Sequence, residues 1–141
     1  INESGLKERP VILHRAILGS FERFIGILIE ETSGRLPLWL APQQVAIASI
    51  ITDANEYLDE IGKKLSKQNI RVALDKRNEK IGYKIREHSL AKIPIILAVG
   101  EQEVTNQTVA VRRLGEKNTE TMALENFIQI ITEQARPPDY R

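Results

Sequence analysis

Gln44-Val45-Ala46-Ile47-Ala48-Ser49-Ile50-Ile51 runs for eight residues without a charge and is rich in β-branched side chains. A half-exposed strand would alternate apolar with polar. This one is apolar on both sets of alternating positions, which predicts a central strand buried on both faces. Downstream, Leu58, Ile61 and Leu65 recur at helical spacing over 54–67. Residues 70–74 predict a second strand. A second helix over 80–92 carries Ile81, Ile85 and Ile93 on one stripe, and Pro94 ends it. Residues 95–99 predict a third strand closed by Gly100. Residues 101–104 and 109–111 predict two arms of a hairpin turning at Thr105-Asn106-Gln107. Leu124, Phe127, Ile128, Ile131 and Ala135 then mark the cleanest amphipathic helix, stopped by Pro137-Pro138. The order strand, helix, strand, helix, strand, hairpin, helix predicts an α/β fold with a largely parallel sheet and right-handed crossovers.

Upstream, Ser33-Gly34-Arg35-Leu36-Pro37 is a cluster of helix breakers and predicts a domain boundary. Before it the pattern changes character. Residues 1–9 are polar, and 10–13 form a short apolar run that predicts a buried strand. Over 15–29 only Arg15, Ser20, Glu22 and Arg23 are polar, so a helix there is apolar nearly all round. Such a helix needs cover on several sides, which predicts a remnant (residues 1–35) of a larger domain. Residues 36–141 form the second domain.

The chain has 141 residues, 42% of them apolar, enough to bury a core. Twenty basic and nineteen acidic side chains give a net charge of +1, unlike a histone-type polycation. The absence of cysteine excludes disulfide scaffolds, thiol catalysis and cysteine-rich zinc sites. Only His14 and His88 offer imidazole, fewer than the three or four ligands of a self-contained zinc site. No apolar run approaches ~18 residues, so no membrane span is expected. A start at Ile1 with no leader pattern reads as an internal piece of a longer chain.

Charge is uneven along this nearly neutral chain. Residues 71–92 hold seven basic side chains against three acidic ones, whereas 53–60 is purely acidic. A one-sided field of that kind suits a phosphate-tracking surface. A solvated helix face, with Glu79 paired to Lys84 and Arg86, is the account the residues alone favour. No glycine-rich phosphate loop and no Ser/His/Asp set is present. His14 at a strand-to-helix junction reads as a hydrogen-bonded core residue, and His88 as part of a helix flank. Ser20 and Arg23 share a face of the apolar helix. A buried arginine there calls for an anion, either a carboxylate or a bound phosphate.

Three segments carry a family resemblance. HRAILGSFERFIGIL (14–28) resembles motif 3 of the threonyl-tRNA synthetases, class II aminoacyl-tRNA synthetases. PLWLAPQQV (37–45) is similar to the entry of that family's anticodon-binding domain, and RNEKIGYKIRE (77–87) to its central motif. The resemblance implies an anticodon-binding domain of about five strands, mixed but mostly parallel, packed by three helices. It implies part of an ATP-dependent threonine–tRNA ligase, with the piece alone inactive and no cofactor expected in it. In the parent enzyme His14 would be one of three protein ligands of a substrate-reading zinc, and Arg23 would hold ATP phosphate with Mg nearby. Ser20 would line the same site. Asn78, Arg86, Glu103 and Arg112 would contact anticodon bases of the threonine tRNA, from one end of the sheet. Lys76, Lys80 and Lys84 would attract phosphate, and Tyr83 would either stack on a base or pack. The upstream catalytic domain and a homodimeric parent are implied as partners. Two other assignments were weighed: an anticodon-binding-like domain of a non-synthetase accessory protein, and a class II synthetase for histidine, proline or glycine. The intact His14, Ser20 and Arg23 argue against the first, and the zinc-type histidine against the second.

Overall fold

A computed structural model describes residues 1–116 and 118–140. Five strands form one mixed sheet in the order β2-β1-β3-β4-β5. β1 (Val45–Ser49) is buried at every position, as its unbroken apolar run requires. It pairs in parallel with β2 (Val72–Asp75) on one side and with β3 (Ile95–Val99) on the other. β4 (Thr108–Arg113) runs antiparallel to β3, and the edge strand β5 (Thr119–Ala123) antiparallel to β4.

Alternation along the strands divides the core. Val45, Ile47, Ile95, Leu97, Val99, Val109 and Val111 point to one face. There α2 (Asn55–Lys67) buries Leu58, Ile61 and Leu65, and α5 (Leu124–Gln134) buries Leu124, Phe127 and Ile131. Each such side chain contributes about 1.5–3 kcal/mol of burial. Tyr57 closes this face by donating its hydroxyl to the Thr108 carbonyl at 3.2 Å, and burial pushes its pKa up to about 12. On the opposite face, Ala46, Ile93 and Ile96 form a smaller cluster beneath α3 (Ile81–Leu90). That helix packs chiefly over β1 and β3 and reaches β2 at Asp75. Among the described residues no helix packs closely on the β4–β5 half of this face.

Several expectations need correction. Residues 101–104 are not a hairpin arm: Glu101–Asn106 is a short helix, α4. Its start is fixed by Glu103, whose Oε2 accepts the Gly100 N–H at 2.9 Å. Its end is Gln107, whose φ of +54° turns the chain back into β4. β5 was not foreseen, because Thr119-Glu120-Thr121 is polar and exposed and shows no apolar alternation. Residues 10–13 form no strand: Val11, Ile12 and Leu13 are exposed and have no neighbouring strand to pair with. The apolar helix, α1 (Phe21–Thr32), begins later than the pattern suggests. Gly19 has φ +67°, and Ser20 caps the helix by accepting the Arg23 N–H at 3.2 Å. No residue of α1 is buried. Among the described residues no helix is long and apolar enough to cross a membrane.

Candidate nucleic-acid interface

The parallel strands β1 and β2 end side by side at Ser49 and Asp75, whose carbonyls share a donor. Lys84, on the underside of α3, satisfies both: its Nζ donates to Ser49 O at 2.8 Å and to Asp75 O at 3.3 Å. Lys84 is 1% exposed and Asp75 4%. The Asp75 carboxylate lies 3.9 Å from the same ammonium. It also takes Arg77 in fork geometry, Nε to Oδ1 at 2.9 Å and Nη2 to Oδ2 at 2.7 Å. The Arg77 backbone N–H adds a third bond at 3.2 Å, and His88 Nε2 lies 2.9 Å from Oδ2. Bonding by Arg77 holds the Asp75 carboxyl well below the usual carboxylate range, against the cost of burial. Arg77 reaches on to Glu87 Oε2 at 3.1 Å and lowers that carboxyl too.

These bonds pin the short loop 76–80 at both ends, with Asn78 exposed at its bend. Arg86 is exposed on α3. Helical spacing places it on the flank beyond Ile85, which packs toward Ala46 and Ile96. Arg112, on β4, lies opposite Ile96 of β3 and Thr119 of β5. It alternates with core-facing Val111, so it stands on the helix-free half of the α3 face, beside Ala98, Ala110 and Thr121. Glu103 sits on α4, beyond the carboxyl end of β3, with one oxygen committed to the Gly100 cap.

The four candidates therefore do not gather at one end of the sheet. Register with Ile96 puts Arg112 toward the amino end of β3, whereas Asn78 and Glu103 follow the carboxyl ends of β2 and β3. Arg86 and Arg112 instead share a face. Lys84 is not a phosphate lysine, since it is buried and fully engaged. Lys76 is paired to Asp59 at 2.6 Å. Lys80 and Arg86 are exposed and form no ion pair among the described residues, so the expected Glu79 pairings with Lys84 and Arg86 do not form. Tyr83 is exposed, not packed. Asp75 and His88 were not singled out as site residues, yet positions 81, 84, 85 and 88 share one helical stripe. That spacing is the signal that turns Lys84 and His88 inward, against the expected phosphate-attracting lysine and helix-flank histidine.

Some sites read from the upstream segment take a different form. His14 and Arg23 are both exposed, so neither is a core residue here. Among the described residues no group of three His, Cys, Asp or Glu could hold a metal ion, and zinc does not fit this chain by itself. A cleft of about 550 Å³ between Trp39, Arg71 and Arg136 lies by the amino end of β2 and shares no residue with the open face.

The sequence model described as "Anticodon binding domain" matches residues 44–134, which spans the whole sheet. The chain belongs to that family. The chain is 55% identical over all 141 residues to a threonine–tRNA ligase of Dinoroseobacter shibae. It is 56% identical over 139 residues to one from a Ruegeria species. It spans 100% and 99% of its own length in these matches but only 22% of each relative. Among solved structures it resembles the RNA binding domain of a threonyl-tRNA synthetase from Cryptosporidium parvum, with TM-score 0.80 and 33% identity. That match covers 88% of this chain and 31% of the other.

Proposed function

We propose that this chain is the anticodon-reading part of a threonine–tRNA ligase and recognises the anticodon loop of a threonine tRNA. The observation that carries the reading is identity of 55% sustained across the full chain with ligases of that specificity. The chemistry is suitable. Anticodon bases are unpaired, so their edges are open to side chains. Arg86 and Arg112 can each meet a guanine edge with two bonds, Asn78 can donate and accept, and the free oxygen of Glu103 accepts from a base amino group. In the parent enzyme His14 is one ligand of a zinc site completed by other segments, and Ser20 and Arg23 serve its ATP site. With one histidine and one arginine of such sites, the chain alone is expected to show no threonine-dependent ATP–pyrophosphate exchange. Measurable exchange by the purified chain contradicts this.

The deciding experiment is titration of the chain with anticodon stem-loops of several amino-acid identities. Preference for threonine anticodons supports the reading, and equal affinity for all overturns it. Lys80 provides an internal control. Lys80→Ala is expected to weaken every stem-loop alike and to reduce the slope of log affinity against log salt by about 0.7, the loss of one single-strand phosphate contact. A loss confined to one anticodon would assign Lys80 to a base instead.

A further inference from the structure

Buried ion pairs stabilise a fold little better than well-packed apolar groups, and often less well. The Asp75–Lys84–His88 cluster therefore calls for a role beyond holding the core. Its members come from different elements: Ser49 O from the end of β1, Asp75 from the end of β2, Arg77 from the loop, and Lys84 and His88 from α3. We infer that this cluster, closed at the surface by Arg77, is the positioning device that sets Asn78 and Arg86 for base reading. The inference rests on the anticodon-reading function proposed above.

The geometry makes the coupling specific. Asn78 follows Arg77 directly, and Arg77 bonds Asp75 through its backbone N–H as well as its guanidinium. Arg86 lies between Lys84 and His88 on one helix, and both are bonded to Asp75. The loop and the helix are thus tied to one carboxylate through Arg77 and His88, while Lys84 joins the two strand-end carbonyls and lies 3.9 Å from that carboxylate. Base-edge hydrogen bonds tolerate displacements of only ~0.5 Å, so releasing that carboxylate should misplace both readers. Arg112 stands on β4 and Glu103 on α4, and neither bonds to the cluster. Their contacts should be unaffected.

Asp75→Asn tests this with unusual clarity. It keeps the shape, and it raises the net charge by one, which on phosphate attraction alone would strengthen RNA binding. The full chain is titrated with its preferred stem-loop in four backgrounds: wild type, Asn78→Ala, Arg86→Ala and Arg112→Ala, each with and without Asp75→Asn. A loss of about tenfold is expected in wild type and in Arg112→Ala. In Asn78→Ala and in Arg86→Ala the loss should shrink, each by the share of the contact already gone. Should Asp75→Asn lose its native circular dichroism, the half-exposed Arg77→Met takes its place in the same cycle at two salt concentrations. Unchanged or tighter binding overturns the inference, as does an equal loss in all backgrounds. If the unsubstituted chain prefers no anticodon, the function reading itself fails. If it prefers one and the loss is independent of background, only the positioning role fails.

Discussion

Asp75→Ala is expected to cost about 3–5 kcal/mol of stability, because truncation strands a buried ammonium on Lys84 without its counter-charge. Against the ~5–15 kcal/mol that holds a domain of this kind together, that is a large fraction. Chemical denaturation at neutral pH measures it. A change below ~1 kcal/mol would show that water reaches Lys84 and that the cluster is not sealed. The same carboxylate predicts an acid limit. Its folded-state pKa is depressed, first by the Arg77 bonds and further by His88, while desolvation opposes them. A depressed pKa contributes stability that is present above the unfolded value of ~3.9 and is lost as pH falls through the folded one. Wild type should therefore lose stability progressively below about pH 4. Asp75→Asn, having no proton to take up there, should be weaker at neutral pH and flatter below pH 4. Parallel pH curves for the two chains would place the acid limit in other carboxylates.

Arg86→Ala and Arg112→Ala should each cost about 1–3 kcal/mol toward the preferred anticodon loop, and much less toward loops that differ at the base each one reads. Affinity alone does not decide the matter. An arginine that merely attracts phosphate loses affinity for every loop and changes the salt slope, whereas one that reads a base loses discrimination. The measurement is a matrix of both variants against cognate and single-base-changed loops at two salt concentrations. A uniform loss from either variant would reduce that residue to an electrostatic contact.

The sequence made the parallel half of the fold plain. The uncharged run from Gln44 to Ile51 holds a covered strand at Val45–Ser49, although Ile50 and Ile51 lie beyond it and are exposed, and Leu58, Ile61 and Leu65 could only face a sheet, because apolar burial leaves periodicity behind. The antiparallel half was harder to read for the same reason inverted. α4 has six residues and buries none of them, and β5 is polar, so neither leaves a repeat to find. The reversal between β3 and β4 is held by a backbone-to-carboxylate bond at Glu103 and by the φ of Gln107, and hydropathy registers neither. The candidate site divides in a similar way. The motif resemblance names Asn78, Arg86, Glu103 and Arg112, but how they are spread over the sheet depends on strand register. The resemblance implies a phosphate-attracting Lys84, whereas the stripe through Ile81, Ile85 and His88 turns it inward, where it donates to the Ser49 and Asp75 carbonyls.

The two outer strands have a consequence for how the protein behaves among its own copies. An open sheet exposes unpaired backbone along both margins, which invites addition of a further strand. Here β2 is four residues long and lies between Arg71 and the Asp75 cluster, while β5 presents Thr119, Glu120 and Thr121 to water. Short length and charge on one margin, and hydrated hydroxyls and a carboxylate on the other, make strand-to-strand association between molecules unfavourable. The uncovered half-face can thus stay open in solution without drawing the sheet into fibrils.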